Sequence, residues 1–531
     1  MLKNIFNNIL SKKTLNIPYL GRVPKEENFN FDLIEYYFKH KVHLDNFQII
    51  NDRIMNDIDF QELFIFIDRT RSKIGQQYLY DQLLTINMKI DFKEQEQIIS
   101  YFIENEEKKI KIQSLLSKIN RRESYYISNL FIDEYIPKPK LFWVIEILSV
   151  FGIASFIFTF VFAKIFFLLL FFFIINMIWN KRNILVYIDS IPQLPLLCKI
   201  ASELTKMNII SQNNYSIFSS IESIKKIENR IKFFKFGTKI RSEIEILLMI
   251  VWENIKILFL IEPLIVFHVL KKLDRKREDI QTIFEYIGKI DSAISIASIR
   301  REVPYYCNPN LSKKTKSLSF TEIYHPFISN CVSNSLELKN KSILLTGSNM
   351  SGKTTFIRTI AINLLLAQTI NTCFAKDLKL PQSRLFSAIR ITDDLFNNKS
   401  YYFEEVLTIK DMVNESLSGS NNVFFLDEIF KGTNTVERIA AGKAVLSYLA
   451  KSDNNIIFVS THDIELADLL NNNYDLYHFT EVIQNEQIHF DYKLKQGNLS
   501  TKNAIRILEI NNYPKEIVDD AKMTSHILLK T

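Results

Sequence analysis

Apolar side chains recur at helical spacing in the first part of the chain. From about Asp52 to Leu84 they fall three or four positions apart, which is the spacing of one buried helix face. Charge-rich helical sequence continues to about Lys118, and Pro137 and Pro139 close the segment. Residues 1–45 are polar and show no period. The pattern predicts an irregular N-terminal segment followed by packed helices.

The next segment is almost continuously apolar. Leu141 to Trp179 contains few polar side chains besides Glu146 and Lys164. One membrane span needs roughly 20 residues, so this stretch has room for two spans that turn near Lys164. Basic residues flank both outer ends, which favours a transmembrane helical hairpin with both ends cytoplasmic. The alternative is a hydrophobic hairpin that is buried in protein or lies in one leaflet, because its second arm, Ile165 to Trp179, is short.

Beyond the apolar segment the pattern becomes helical again and then changes. Residues 183–330 contain basic amphipathic stretches, and the apolar run Ile255 to Leu270 carries enough polar residues to favour a core helix over a third span. From about Lys341, short β-rich runs alternate with helical patterns. This alternation is typical of an α/β domain.

Composition sets few further limits. The 531 residues leave room for roughly three domains. The net charge of +7 permits nucleic acid or an anionic membrane as a partner and requires neither. The 4 cysteines form no CxxC pair, which argues against structural zinc or a disulfide framework and fits a reducing compartment. We expect no signal peptide, since the first residues contain no continuous apolar run.

The stretch TGSNMSGKTTF, Thr346 to Phe356, has the spacing of a phosphate-binding loop. It matches G-x-x-x-x-G-K-[ST] at every fixed position, with an apolar strand before it and a helix after it. Its glycines let backbone N–H groups turn towards phosphates, Lys353 would reach the β- and γ-phosphates of ATP, and the Thr354 hydroxyl would bind Mg²⁺. The candidate nucleotide-binding residues are Gly347, Ser348, Asn349, Met350, Ser351, Gly352, Lys353, Thr354 and Thr355.

Two further strands end in residues suited to ATP hydrolysis. VFFLDE, Val423 to Glu428, would bring Asp427 to the Mg²⁺ ion and Glu428 to a position where it orients the attacking water. IIFVSTHD places His462 just past another apolar strand. A single histidine is often structural, but at the carboxyl end of a strand in an α/β ATPase it suits a sensor of the γ-phosphate.

The order of these motifs resembles the MutS family of mismatch-repair ATPases. TGSNMSGKTTFIR is followed by RITDDL, NKSYYFEEV, FLDEIFKGTNTVERIAAGKAVL and STHDIELADL. Upstream, Asn56 to Leu84 is similar to the start of the MutS core domain, and Asp291 to Leu311 to its closing helix. The resemblance implies a P-loop α/β ATPase of the ABC/MutS type after a mostly helical core and lever domain, with ATP and Mg²⁺ as cofactors and a homodimer formed through the ATPase domains.

This sequence departs from the MutS pattern in two places. The apolar hairpin is an insertion between core and lever segments, as in a shorter, membrane-associated MutS-like group. The stretch before Asn56 is also too short for the domain that carries the mismatch-reading wedge. Phe60-Gln61-Glu62 spells F-x-E, but it lies inside a periodic helix, so we expect Phe60 to pack in the core.

The resemblance also assigns a residue that acts across the dimer. In the family a serine at the start of a helix completes the site of the opposite subunit, and NKSYYFEEV places Ser400 at that position. The alternative is that Ser400 only caps its own helix.

These observations predict five segments and one favoured function. The segments are 1–50 (N-terminal), 51–140 (core, first part), 141–180 (transmembrane hairpin), 181–320 (core and lever, second part) and 321–531 (ATPase domain). The favoured function is a two-pass, membrane-anchored ATPase that clamps DNA in mismatch repair or damage sensing, with its soluble domains cytoplasmic. The alternative is a membrane-tethered ATPase switch that acts on a protein or lipid without a DNA role.

Overall fold

The computed structural model describes most of the helical part and nearly all of the α/β part. The described residues are 29–132 except 45, 142–159, a few residues between 162 and 174, 190–209, 214–231, 251–312 except 253 and 256–258, and 316–528 except 339, 349–350, 391–400, 485–486, 499–503 and 512.

The helical part begins with two short helices and continues through the segment predicted from apolar spacing. Its helices are α1 (Phe31–Ile34), α2 (Tyr36–His40), α3 (Asp52–Asp57), α4 (Phe60–Ile67), α5 (Lys73–Leu84), α6 (Lys93–Glu104), α7 (Glu106–Leu116) and α8 (Asn129–Ile132). Strands β1 (Asn46–Ile49) and β2 (Thr85–Asn87) pair antiparallel. Phe60 is 1% exposed and its ring meets that of Tyr80 edge-on at 5.3 Å. The prediction that Phe60 packs in the core is confirmed.

Later helices complete this part. They are α9 (Phe142–Thr159), α10 (Leu194–Thr205), α11 (Asn214–Ile231), α12 (Ile261–Leu273) and α13 (Arg277–Glu302). The long helix α13 packs on α5, α6 and α11. At the closest approach to α5, a Cβ on Gly75 would lie 2.2 Å from Asp291 Oδ2, so only glycine fits there. The same Asp291 carboxylate accepts the backbone N–H groups of Arg71 and Ser72 at the start of α5.

The first arm of the predicted hairpin corresponds to α9, whereas the second arm lies largely outside the described residues. Several large apolar side chains of α9 are exposed, among them Val150 at 65% and Ile157 at 58%. Ser149 Oγ donates to the carbonyl of Phe259, so the second apolar run of the sequence contacts the first. Among the described residues, none of the helices combines the length and the apolar character that crossing a membrane requires.

The α/β part contains two sheets. The strands are β3 (Asn310–Ser312), β4 (Ser319–Ile323), β5 (Asn334–Glu337), β6 (Ser342–Thr346), β7 (Asp377–Pro381), β8 (Arg384–Ala388), β9 (Asn422–Asp427), β10 (Asn455–Ser460), β11 (Tyr474–His478), β12 (Glu481–Gln484), β13 (Gln487–Phe490) and β14 (Lys495–Gln496). The main sheet has the order β14-β11-β6-β10-β9-β8, and its strands are parallel except for β14. The order of the second sheet is β3-β7-β4-β5.

Helices accompany the strands of the main sheet. They are α14 (Lys353–Thr369), α15 (Tyr401–Glu415), α16 (Thr435–Leu449), α17 (Ile464–Leu470), α18 (Ala504–Ile510) and α19 (Lys515–Leu528). Strands β6, β9 and β10 are buried along nearly their whole length and are apolar between their polar end residues, as the central strands of a parallel sheet are. Since these strands are parallel, their carboxyl ends meet at one edge, where α14 begins.

The helical and α/β parts share one hydrophobic core. A single cluster of buried apolar residues extends from Ile34 in α1 to Phe479 after β11. Polar contacts reinforce the junction at β8, where the Gln48 amide donates to Leu385 O at 2.6 Å and accepts from Leu385 N at 2.8 Å. Asp57 accepts the backbone N–H groups of Ile389 and Arg390 just beyond the same strand.

Candidate nucleotide site

The loop between β6 and α14 has the backbone conformation that its glycines predict. Gly347 and Gly352 adopt φ angles of 144° and 103°, which L side chains rarely tolerate. A Cβ on Gly347 would also lie 2.7 Å from the carbonyl oxygen of Phe479. The described ends of this loop therefore need glycine, and the loop leads into the N-terminus of a long helix, where backbone N–H groups favour anions.

Lys353 is the first residue of α14, and its side chain reaches back into this loop. Its Nζ donates to the carbonyl oxygens of Gly347 at 2.7 Å and Ser348 at 3.0 Å, and the residue is 3% exposed. Burial lowers the pKa of Lys353 to about 8, because a charged ammonium loses hydration there. A buried cation held by carbonyl oxygens is placed to exchange those weak partners for phosphate oxygens.

Thr354 and Asp427 meet across the sheet edge. The Thr354 hydroxyl donates to Asp427 Oδ2 at 2.6 Å, and the Ser460 hydroxyl donates to the other oxygen of the same carboxylate. Mg²⁺ prefers oxygen ligands and is usually held by one or two carboxylates together with substrate phosphates. The donor set of Thr354 and Asp427 fits that ion.

Glu428 follows Asp427 directly and contacts two nitrogen groups. Its carboxylate pairs with His462 Nε2 and with Lys431 Nζ, the latter at 2.6 Å. The hydrogen bond from His462 is the main cause that lowers the pKa of Glu428 to about 2. His462 Nε2 is also 3.5 Å from Lys353 Nζ. Glu428 therefore stays ionised at neutral pH and lies beside the phosphate loop.

A cavity of about 440 Å³ opens beside the loop. Gly352, Thr354 and Thr355, at the end of the loop and the start of α14, line one side of it. The opposite walls are mostly apolar or aromatic, and they include Ile323, Ile328, Val332, Phe356, Phe479 and Tyr492. A planar, weakly polar ring system would fit between such walls.

The family model for MutS domain V matches residues 343–529. This range includes the phosphate loop, the strand that ends in Asp427 and Glu428, and the strand before His462. Over this range the chain is similar to MutS domain V.

Curated relatives agree with the domain V match. The DNA mismatch repair protein MutS of Listeria monocytogenes serotype 4a (strain HCC23) is 30% identical over 257 residues, covering 46% of this chain and 29% of that protein. MutS of Prochlorococcus marinus (strain MIT 9312) is 28% identical over 273 residues, or 49% and 30% of the two chains. MutS of Petrotoga mobilis is 28% identical over 306 residues, or 54% and 36%. The chain therefore matches about a third of the length of these relatives.

Domain V brings most of the sequence-predicted residues together. Lys353, Thr354, Asp427, Glu428 and His462 converge at the carboxyl edge of β6, β9 and β10. The Ser348 hydroxyl instead donates to Glu481 and the Ser351 hydroxyl to Ser348 O, so these two side chains brace the loop. The Thr355 side chain lines the cavity. Asn349, Met350 and Ser400 lie outside the described residues.

Sequence reasoning missed two contributors to this site. Ser460 is the last residue of β10. Its position two residues before His462 could have indicated that it lies near the site. The apolar and aromatic walls of the cavity come from segments that are far apart in the chain, so no local sequence pattern indicates them. Glu405, which matches the glutamate of the family's helix-start motif in NKSYYFEEV, is 1% exposed and accepts the backbone N–H of Phe430, two residues beyond Glu428.

Proposed function

We propose that this chain binds and hydrolyses ATP as a MutS-type ATPase. The contact between Thr354 and Asp427 carries the proposal, because it joins the phosphate loop to an acidic strand end in the arrangement a Mg²⁺–nucleotide complex needs. Lys353 supports it as a buried cation inside the loop.

In this proposal each residue at the sheet edge has one role. Backbone N–H groups of the loop and Lys353 bind the β- and γ-phosphates, and the cavity between Ile323 and Tyr492 takes the base. Thr354 and Asp427 would hold Mg²⁺, which neutralises charge on the transferred phosphoryl group. Glu428 orients and deprotonates the attacking water, and His462 contacts the γ-phosphate.

The full-length protein tests the ATPase proposal directly. We expect Mg²⁺-dependent release of phosphate from ATP, and we expect Lys353→Ala to abolish tight nucleotide binding because the phosphates lose their main cation. Exposed Lys451 at the end of α16 offers a matched control in Lys451→Ala. Equal ATP affinity in wild type and Lys353→Ala would overturn the proposal.

We further propose a homodimer in which Ser400 of one subunit completes the ATP site of the other. The described helix α15 begins at Tyr401, directly after this residue in the sequence. The support is the resemblance of NKSYYFEEV to the family's trans-acting helix start.

DNA is the proposed partner, and ATP-gated clamping in mismatch repair or damage sensing is the proposed output. The printed names of the relatives support a mismatch-repair role. Basic residues also outnumber acidic ones around a cavity of about 640 Å³ beside α11 and the end of α12, which is lined by Lys226, Lys272, Arg275 and Lys276 and by Glu222 and Asp279. Such a cluster suits phosphate groups spaced along a nucleic acid backbone.

Retention on DNA at several salt concentrations, with and without ATP, tests this partner. Electrostatic binding predicts a steep fall of affinity with salt, and a clamp predicts an additional component that requires ATP. We expect the double change Lys272→Glu and Arg275→Glu to make DNA affinity fall less steeply with salt concentration. Absence of retention under all conditions would instead favour an ATPase switch with a protein or lipid partner.

Membrane anchoring through residues 141–180 remains part of the proposal, with two passes and cytoplasmic soluble domains. The exposed apolar side chains of α9 and the apolar sequence up to Trp179 support it. Carbonate extraction of native membranes should leave the protein in the pellet, and deletion of 141–180 should release it. Full-length protein in the carbonate supernatant would contradict anchoring.

A further inference from the structure

The turn that carries Glu428 has a backbone that needs support. Glu428 and Phe430 adopt φ angles of 52° and 58°, in the left-handed region that non-glycine residues rarely occupy. Such residues persist only where the surrounding structure holds them. On one side the N–H of Glu428 donates to Ser460 O at 2.9 Å.

Helix α15 holds the other side of this turn at three points. The buried Glu405 carboxylate accepts the N–H of Phe430. The ring of Tyr402 lies 6.4 Å from that of Phe430. Tyr402 also packs so closely on Gly432 that a Cβ there would lie 2.8 Å from Tyr402 Cβ.

Burying the Glu405 carboxylate has a cost that packing alone does not explain. Burial raises the pKa of Glu405, so the site disfavours its charge even though the backbone N–H of Phe430 partly compensates. An apolar side chain of similar size would avoid this cost but would leave the Phe430 N–H without an acceptor. The buried carboxylate is therefore explained by the hydrogen bond that it accepts from the turn.

We propose that Glu405 is a positioning residue for Glu428. It acts by fixing the turn 428–432 against α15, and this sets where the Glu428 carboxylate lies beside the phosphate loop. The inference rests on the proposed ATPase function and adds to it a residue that touches neither nucleotide nor metal. Because α15 begins directly after Ser400, this helix also connects the proposed trans-acting position to Glu428, the proposed general base of the same subunit.

The position of Glu428 affects hydrolysis more than nucleotide binding, and this separates a positioning role from a purely structural one. We expect Glu405→Ala to lower the single-turnover rate of bound ATP by about a hundredfold, the size of effect that a small misplacement of a catalytic group produces. The affinity for ATP, measured with a fluorescent analogue, should stay within about twofold of wild type, because the phosphate loop is unchanged.

Two other variants and one control sharpen the test. Glu405→Gln keeps an oxygen acceptor for the Phe430 N–H, so it should restore most of the rate. Gly432→Ala should reproduce the rate defect from the opposite side of the contact, and it decides the question if Glu405→Ala does not fold. Asp411→Ala removes an exposed carboxylate farther along α15 and should match wild type.

The outcomes separate this inference from the ATPase proposal. A wild-type protein that does not hydrolyse ATP overturns the proposed function. If wild type hydrolyses ATP, three results each overturn the positioning role: a wild-type rate in Glu405→Ala, parallel losses of affinity and rate, or a Glu405→Gln variant as slow as Glu405→Ala. A wild-type rate in a folded Gly432→Ala variant likewise overturns it.

Discussion

Thr354 Oγ1, at the start of α14, donates a 2.6 Å hydrogen bond to Asp427 Oδ2 at the end of β9, although β10 separates β9 from β6, the strand that leads into α14. The two groups meet because parallel strands end at the same edge of the sheet. Their contact defines where a divalent cation would sit between the loop and the acidic strand end.

The main effect of a change at Asp427 should be on the Mg²⁺ concentration that turnover requires. Asp427→Asn keeps the shape of the side chain but removes its charge, so we expect the Mg²⁺ concentration for half-maximal turnover to rise at least about tenfold. Turnover measured across a Mg²⁺ series checks this. Thr354→Ser retains the hydroxyl and should stay close to wild type, and an unchanged Mg²⁺ midpoint in Asp427→Asn would exclude this residue as a ligand.

Glu428→Gln should separate binding from hydrolysis. The amide cannot accept a proton from water, so we expect the hydrolysis rate to fall about a hundredfold or more while ATP affinity is preserved. Phosphate release and equilibrium binding, measured on the same preparation, test both halves. A normal rate in this variant would show that Glu428 is not the base.

Nucleotide affinity should depend on pH through Lys353, because burial lowers the pKa of this side chain to about 8. Above that pH the free protein holds Lys353 neutral, so binding of the phosphates must return a proton to it. We expect affinity to fall between about pH 7 and pH 9, and ATP binding at the upper end to take up protons. Calorimetry in two buffers of different ionisation enthalpy measures that uptake.

The same pKa shift has a defined sign for stability. Between about pH 8 and the ordinary lysine pKa of 10.5, the unfolded chain binds more protons at Lys353 than the folded protein does. This group therefore makes the free energy of unfolding rise with pH in that interval. Lys353→Arg provides the control, because its side chain stays charged throughout and should show neither effect.

A mixing experiment tests the predicted role of Ser400. Ser400→Ala protein and Lys353→Ala protein should each be inactive, since one lacks the trans-acting group and the other the phosphate-binding cation. A mixed dimer contains one site with both groups intact and one site with neither, so about half of the wild-type activity per dimer should return in it. If heterodimers form and no activity returns, Ser400 does not act across the dimer.

Asp57 should stabilise the junction between the helical and α/β parts. Asp57→Ala leaves the N–H groups of Ile389 and Arg390 without their acceptor, so we expect the free energy of unfolding to fall by about 2–3 kcal/mol. Urea denaturation followed by tryptophan fluorescence measures the change. Asn56→Ala, an exposed neighbour on α3, should change little, and an equal loss in both variants would contradict the assignment.

The residues of the phosphate loop and the two strand ends could be predicted because their chemistry is local. A glycine pair at fixed spacing, a lysine and a strand-ending acid each depend on a few adjacent positions. The helices from Asp52 to Leu84 were likewise marked by apolar spacing, and the structure places α3, α4 and α5 there.

Other features depend on contacts that the sequence does not display. The helices at Phe31–His40 differ from the irregular segment expected there, because their apolar residues pack on distant elements such as α5 and α13. The contact between Glu405 and Phe430 joins positions 25 apart, and the cavity walls are more widely separated still. Tertiary packing, and not local preference, determines these features.

The side-chain amide of Gln48 forms hydrogen bonds with both the N–H and the carbonyl oxygen of Leu385. Leu385 lies on β8, which is the terminal strand of the six-stranded sheet. An uncovered terminal strand is a template for pairing with strands of other molecules. We therefore expect the helical part to shield this edge of the main sheet from pairing with other molecules, in addition to supporting it. A gene fragment that encodes only the α/β part would expose this strand, so the fragment should aggregate more readily than the complete chain.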